Sequence, residues 1–317
     1  MAKLTFKRGA RDSFFEALFT IAKNDRQVVI VSADCGAPSL DQFRTHLSNQ
    51  YVSVGIAEQN MVAVAAGMAL AGKIPYVYAI APFATLRCYE MIKVDVCAMH
   101  LPITVLGVGA GLSYDIMGPT HHTTEDISIM RALPDMTIYT PSDSTMAAAL
   151  ADLTYKARRP QYVRFDREVF LSIYTETGDF TAGLAHLREG KNTCIVATGI
   201  MVHSALRVAD MLKKSGIEMG VIDLYRAAPI NQDLLAKTVA KYNTIITLEE
   251  HFLVGGIGDA VRSTMADAGV TKRLVHLGLP HKYLFEYGGR RNIHELTGLD
   301  DESLAKKMAK IAKEKVK

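Results

Sequence analysis

The sequence predicts an α/β protein with two domains, each a mostly parallel sheet flanked by helices. The chain has 317 residues, and at about 100–200 residues per domain this length favours two domains. Short runs rich in β-branched residues alternate with segments of helical periodicity, which is typical of parallel sheets covered on both faces. A polar, turn-rich stretch interrupts this alternation. We therefore predict a first domain at 1–169, a linker at 170–192 and a second domain at 193–317.

In the first series, Arg8 to Asn24 has helical spacing and Val28–Val31 is typical of a buried parallel strand. Further strands are predicted at Tyr51–Val54, Tyr76–Ile80, Ile103–Val108, Thr137–Tyr139 and Tyr162–Phe165. Helices are predicted up to His46 and at Glu58–Ala71, Phe83–Ala98, Thr124–Ala132 and Ser144–Lys156. In the second series we predict strands at Cys194–Ala197, Gly220–Leu224, Thr244–Leu248 and Leu274–Leu277, and helices at Val202–Lys214, Gln232–Lys241, Gly258–Ala268 and Leu304–Val316.

The composition excludes several classes of protein. With 49% hydrophobic and 22% charged residues, the chain is neither disordered, fibrous nor a coiled coil. A net charge of +3 gives no reason to expect nucleic-acid binding. The longest apolar run, Met61–Ala71, is shorter than the about 20 residues that cross a bilayer, so we expect no membrane association. The four cysteines have neither zinc-site nor disulfide spacing, and we expect reduced thiols in the cytoplasm.

The first candidate for chemistry is Glu58, in the segment VGIAEQNM that follows a predicted strand and begins a helix. Ligands in open α/β sheets bind beyond the carboxyl ends of the strands. An acidic residue there also complements the helix dipole, which would be a structural role. The functional alternative is a carboxyl group in an apolar setting that shares a proton with a bound base.

The second candidate is the segment GPTHHTTED, in which His121 and His122 precede a predicted helix. Adjacent histidines point in different directions, so one of them is often structural, and an acid–base or hydrogen-bonding role needs only one. We expect no metal site in this chain, because no second pair of residues with ligand spacing accompanies the histidines. The sequence also has neither a phosphate-binding P-loop nor a Gly-x-Ser-x-Gly elbow, which argues against an NTPase and a hydrolase.

Four longer segments of the sequence resemble a known family. The segment SVGIAEQNMVAVAAGMALAGKIPYVYAIAPFATLRCYEMI and the later GPTHHTTEDISIMRALPDMTIYTPSD are similar to the pyrimidine-binding domain of transketolases and deoxyxylulose-phosphate synthases. VIDLYRAAPI and TLEEHFLVGGIGDAV resemble the C-terminal domain of the same enzymes. The beta subunits of 2-oxo-acid dehydrogenases are less similar, because their usual His-Ser-Gln-Ser segment is Thr-His-His-Thr here.

The resemblance implies a split enzyme. Full-length transketolases carry an amino-terminal domain that holds the cofactor's diphosphate and a metal ion through Gly-Asp-Gly and a later Asn, and this sequence has no Gly-Asp-Gly. The chain therefore looks like the carboxy-terminal subunit of a split transketolase. The resemblance implies thiamine diphosphate as cofactor, with Mg²⁺ or another divalent cation held by an amino-terminal partner subunit, and an α2β2 heterotetramer.

The resemblance also assigns cofactor and substrate residues. Glu58 matches the glutamate that hydrogen-bonds the aminopyrimidine ring, Phe83 the aromatic residue that stacks on it, and Tyr89 a nearby pocket residue. His121 matches the histidine that contacts substrate oxygens. The family commonly has Asp where this chain has Met117, and Asp115 is the nearest replacement.

Sugar phosphates need cationic side chains, and arginine presents a planar fork to phosphate. Arg164 and Arg167 lie at the end of the last predicted strand of the first domain, where the family places a phosphate-binding arginine, and Arg44 corresponds more loosely to another. Arg87 is a separate candidate for contact with substrate or partner. For each, the structural alternative is an ordinary surface arginine.

We therefore expect a transketolase subunit that moves a two-carbon ketol unit from a ketose, which we expect to be phosphorylated, to an aldose. One alternative is a deoxyxylulose-phosphate-synthase-like or other 2-oxo-acid decarboxylating subunit with the same cofactor. A second alternative is a regulatory or assembly subunit without chemistry, against which the presence of both Glu58 and His121 argues.

Overall fold

Two mostly parallel sheets form the framework of the protein. The computed structural model describes residues 9–175 and 178–314. The strands are β1 Val28–Ser32, β2 Tyr51–Ser53, β3 Ile74–Ile80, β4 Thr104–Val108, β5 Thr137–Tyr139, β6 Gln161–Phe165, β7 Ala185–Arg188, β8 Thr193–Ala197, β9 Met219–Asp223, β10 Arg226–Ala228, β11 Thr244–Phe252 and β12 Arg273–Leu279. Within the described residues, the first sheet has the order β10-β5-β6-β4-β3-β1-β2 and the second β12-β11-β8-β9-β7.

Helices cover both faces of these sheets. They are α1 Ala10–Ala22, α2 Asp41–His46, α3 Glu58–Leu70, α4 Ala81–Ala84, α5 Tyr89–Met91, α6 Asp126–Arg131, α7 Ser144–Ala157, α8 Met201–Lys213, α9 Gln232–Val239, α10 Ile257–Asp267, α11 Gly289–Thr297 and α12 Asp301–Lys313. The predicted two-sheet α/β fold is confirmed. The predicted start of the first helix at Arg8 and the end of the last at Val316 lie outside the described residues.

Each sheet ends in one antiparallel edge strand that the sequence did not reveal. β7 lies inside the segment predicted as a linker and pairs with β9. Its four residues, Ala-His-Leu-Arg, are all half-buried and do not form the apolar run that is typical of a central strand. β10 comes from the second half of the chain but pairs with β5 of the first sheet. It has three residues, too few for a recognisable pattern.

The single helix predicted at Phe83–Ala98 is wrong. The structure has α4, a break over residues 85–88, α5 and then a π-helix, Ile92–Ala98. At the break the Thr85 hydroxyl donates to the Ala81 carbonyl at 2.7 Å and the Cys88 thiol to the Phe83 carbonyl. Side chains that bond the preceding backbone in this way compete with regular helical bonding. Phe83 lies in α4 and Arg87 in the break, shortly after the carboxyl end of β3.

Among residues 9–175 and 178–314, the apolar core has three parts. One lies on the outer face of the first sheet and contains Phe14, Phe15, Tyr76, Tyr78 and Phe165. Another lies between the second sheet and helices α8 and α12. The third joins the two domains, because Val77 and Val105 of the first sheet belong to the same buried cluster as Leu224 and Ile245 of the second.

Two further properties of the described residues concern membrane spanning and metal binding. Among the described residues, none of the helices combines the length and the apolar character needed to cross a membrane. Within the same residues, His, Cys, Asp and Glu side chains do not gather in threes or more as they would around a metal ion.

Candidate active site

The site is built from four loops that follow β2, β3, β4 and β6. These strands run parallel, so their carboxyl ends meet at one edge of the first sheet. The loop after β2 leads into α3, whose first residue is Glu58. Only 4% of Glu58 is exposed, although it carries a carboxylate. A buried carboxylate needs a partner, because burial without one costs several kcal/mol.

Arg87 is that partner. Its Nη1 donates to Glu58 Oε2 at 2.7 Å, and its guanidinium lies over the ring of Phe83 at 4.2 Å from the centroid. The arginine side chain is 42% exposed, so it can move away without unfolding its surroundings. A planar group that donates N–H bonds therefore sits on the Phe83 ring and bonds Glu58 at the same time.

His121 also contacts Phe83. The two rings are 5.1 Å apart, edge to face, and the loop reaches this position through Gly118, whose φ of +69° favours glycine. Burial, with the nearby His122 and Arg87, lowers the pKa of His121 and favours the neutral imidazole. Its Nδ1 is 2.9 Å from the hydroxyl of Thr120, which leaves Nε2 for an oxygen of a bound molecule.

The adjacent histidine has a structural role. His122 is buried, and its Nε2 lies 3.3 Å from the carbonyl oxygen of Asp115. Burial also lowers its pKa. One histidine of the pair therefore packs the loop while the other faces the site.

The row of contacts continues from His121 to Arg167. Tyr114 has its ring 5.7 Å from that of His121, and the guanidinium of Arg167 lies 4.2 Å from the centre of the Tyr114 ring. Arg167 is exposed, and Nη1 donates to the Ser113 carbonyl at 3.3 Å. A cation with free donors thus lies at one end of the row, and the buried carboxylate of Glu58 lies at the other.

The assignment of Arg164 to a substrate phosphate conflicts with the structure. Its side chain is 4% exposed and forms a two-pronged pair with Asp126, Nε to Oδ2 at 2.7 Å and Nη2 to Oδ1 at 3.1 Å. Nη2 also donates to the Thr123 carbonyl. A buried arginine that already satisfies a buried carboxylate is a structural residue.

Three other predicted residues are engaged elsewhere. The Tyr89 hydroxyl donates to the Ile129 carbonyl at 2.9 Å. Arg44 is paired with Asp41 and with the Tyr51 hydroxyl. The two oxygens of Asp115 accept the amides of Ile116 and of Arg290 in the second domain. Met117 is 49% exposed on the same loop.

Sequence reasoning missed two features of the site. Tyr114 links His121 to Arg167, and an aromatic residue seven positions before the histidine was the only available signal. Arg290 was missed completely. It is buried between the domains, where it bonds Asp166, Glu168 and Glu250, and nothing in the local sequence GGRRN distinguishes it from a surface arginine.

Two family models match most of the chain. Residues 7–170 match the family model of the transketolase pyrimidine binding domain, and residues 183–304 match that of the transketolase C-terminal domain. The chain is 33% identical over 299 residues to an apulose-4-phosphate transketolase subunit of Phocaeicola vulgatus, covering 93% of this chain and 95% of that protein. It is 33% identical over 259 residues to the 6-deoxy-6-sulfo-D-fructose transketolase subunit SqwH of a Clostridium species, covering 81% and 80%.

A solved structure is similar over nearly its whole length. It is a split-gene transketolase, described as an inactive β4 tetramer, with a TM-score of 0.87 and 28% sequence identity. The similarity covers 96% of this chain and 98% of that chain.

Proposed function

This chain belongs to the transketolase family as a subunit of a split enzyme, and from that premise we propose how it acts. With an amino-terminal partner it moves a two-carbon ketol unit from a ketose to an aldose, using thiamine diphosphate. The partner holds the diphosphate and Mg²⁺, in an α2β2 heterotetramer. Subunits that act on apulose 4-phosphate and on a sulfo sugar are related to this chain, which supports a donor or acceptor with an anionic group. The four free cysteines fit a cytoplasmic protein.

The residues present fit the aminopyrimidine ring of this cofactor. Arg87 acts as a stand-in, because its guanidinium is a planar N–H donor that lies on Phe83 and bonds Glu58. The aminopyrimidine ring has the same two properties, a flat face and an N–H group for a carboxylate. Binding of the ring therefore competes with Arg87 for both partners. When bound, thiamine diphosphate supplies a nucleophilic carbon and an electron sink.

The chain's own residues then have distinct tasks. Glu58 shares a proton with the ring nitrogen, and Phe83 holds the ring by stacking. The neutral imidazole of His121 bonds an oxygen of the sugar through Nε2 and steadies it as the carbon–carbon bond breaks. Arg167 binds the anionic end of the substrate with its planar fork. The observation that carries this proposal is the unbroken row of contacts from the buried carboxylate of Glu58 to the exposed cation of Arg167.

The test combines binding and turnover. The chain alone should not bind thiamine diphosphate with Mg²⁺ at submicromolar concentration, whereas the chain with an amino-terminal transketolase subunit should bind it and transfer ketol units. Release of carbon dioxide from pyruvate by the assembled enzyme, with no ketol transfer, would identify a decarboxylating synthase instead. Binding without either reaction would indicate an assembly subunit.

A further inference from the structure

The loop that carries His121, residues 109–122, crosses the boundary between the domains. Its base is closed by two hydrogen bonds, from the Gly111 amide to the Thr123 carbonyl at 3.0 Å and from the Thr123 amide to the Gly111 carbonyl at 2.8 Å. Beyond this closure the loop itself contains neither a strand nor a long helix; its one regular element is a short 3-10 helix, Asp115–Thr120. Its position depends on side-chain and amide contacts with other parts of the chain.

Three of these contacts come from the second domain. The Leu112 side chain is fully buried in the apolar cluster of that domain, with Leu284 and Ile293 among its members. The Leu112 amide donates to Glu250 Oε2 at 2.8 Å. Asp115 Oδ2 accepts the amide of Arg290, at the start of α11, at 2.9 Å.

A buried network of charged side chains, drawn from both domains, holds these contacts in place. Arg290 is 6% exposed and bonds Glu250 through Nε at 2.8 Å and Nη2 at 2.6 Å, while Nη2 also bonds Asp166 Oδ2 at 2.6 Å. Its Nη1 reaches Glu168 at 3.1 Å, and His294 bonds Glu250 from the next turn of α11. Burial alone would raise the pKa of Glu250, but Arg290 and His294 hold it well below its usual range. Glu250 is therefore a fixed, charged acceptor for the loop.

We propose that the second domain positions His121 through a clamp made of Glu250, Arg290 and the pocket around Leu112. The clamp fixes the loop at Leu112 and Asp115 and so sets where the His121 ring stands against Phe83. Arg290 and Glu250 are positioning residues, since in the described part of the chain neither bonds a side chain of the row from Glu58 to Arg167. This inference rests on the proposed function, because it gives His121 a contact with substrate.

The first experiment measures hydrogen exchange at the loop amides in the full chain without partner or cofactor. Asp115→Ala removes one bond to the clamp at a half-buried position. Because a bond to a charged group is lost, exchange at residues 112–122 should rise about tenfold to hundredfold, with β4 unchanged. Asp300→Ala is the matched control, because Asp300 caps α12 of the second domain through the Ser303 amide at 2.9 Å and makes no bond to the loop in the described part of the chain. Unchanged loop exchange in Asp115→Ala, or an equal rise in both variants, would overturn the proposal.

The second experiment measures donor KM and kcat in the assembled enzyme. Asp115→Ala and Leu112→Ala should both raise the donor KM by about tenfold, because a displaced His121 binds the sugar poorly, while thiamine diphosphate affinity stays the same. Leu112 cannot bond a sugar, so its effect separates positioning from direct contact. Asp115→Asn keeps an oxygen that accepts the Arg290 amide, so its donor KM should be close to that of the parent enzyme. An unchanged KM in Leu112→Ala contradicts the clamp. A parent enzyme without ketol transfer contradicts the proposed function instead, and the exchange result still decides whether the clamp exists.

Discussion

Replacing Arg164 and Arg167 separately by methionine distinguishes a structural arginine from a substrate-binding one. Arg164 and Asp126 are 4% and 0% exposed, and the Tyr162 hydroxyl also donates to Asp126 at 2.7 Å. Arg164→Met leaves the Asp126 carboxylate buried with the tyrosine as its main remaining donor. Removing one partner of a buried pair costs about 3–5 kcal/mol, so we expect the free energy of unfolding to fall by that amount.

A nearby histidine changes the size of this effect with pH. Nε2 of His251 has no hydrogen-bond partner and lies 3.9 Å from Asp126 Oδ1. Burial lowers the pKa of His251 to about 4; Asp126 opposes this shift and Arg164 adds to it. Without Arg164 the imidazole accepts a proton more readily and can replace the missing cation. The loss of stability in Arg164→Met should therefore be smaller at pH 5 than at pH 8.

Arg167→Met should behave in the opposite way. Arg167 is exposed and lies on the Tyr114 ring, so its removal should change the free energy of unfolding by less than about 1 kcal/mol. In the assembled enzyme the KM for a phosphorylated ketose should rise about tenfold to hundredfold, because a bond to a charged group is lost. Arg26→Met is the control, because Arg26 is exposed and precedes β1, at the amino end of the parallel strands, and it should change neither quantity appreciably.

Urea unfolding followed by circular dichroism gives the stabilities, and steady-state kinetics gives the KM. If Arg164→Met unfolded at the parent urea concentration and raised the KM for the phosphorylated ketose, the structural assignment would be wrong. The assignment of Arg164 to a phosphate, as the sequence predicts, would then be right.

Three further predictions concern the site and its surroundings. Glu58→Gln should bind cofactor in the assembled enzyme but slow exchange of the thiazolium proton by about 10²–10⁴-fold; exchange at the parent rate, followed by NMR, would reduce Glu58 to a helix-start charge. Met117→Asp should sharpen discrimination between ketose donors epimeric beside the carbonyl by about ten- to a hundredfold, and unchanged kcat/KM ratios would show that residue 117 does not face the sugar. Burial raises the pKa of Asp223 from 3.8 to about 7, so the folded chain holds this proton to higher pH than the unfolded chain, and stability falls as the pH rises through that range. Asp223→Asn should reduce this fall without abolishing it, because burial also raises the pKa of Glu249 to about 7; urea unfolding at pH 5 and pH 8 with an unaltered difference would contradict the assignment.

Much of the site was predictable because it is formed by loops at one edge of a parallel sheet. Glu58, Phe83, His121 and Arg167 each follow a strand that the apolar runs had already indicated, so their meeting at the carboxyl ends required only the sheet topology. The number of residues that separates these four side chains in the sequence was not needed to predict that they meet.

The errors have a common physical origin in contacts between distant parts of the chain. Arg164 and Arg167 are both arginines near the end of β6, and only the packing of the segment at Asp126 buries the first. Arg290 is buried because carboxylates from the two domains surround it. Local periodicity carries no information about such contacts, because they depend on how the two sheets pack.

The strand β10 has a consequence for how the protein comes apart. It belongs to the second half of the chain but completes the edge of the first sheet beside β5, and the buried cluster around Val77 and Leu224 is shared by both halves. A protease cut in the segment 170–182 would therefore release no separate folded domain. If the two fragments separated, each would expose apolar surface, and the first would also have an unpaired strand edge at β5. We expect the nicked chain to stay together as a complemented pair of fragments and to unfold in one transition.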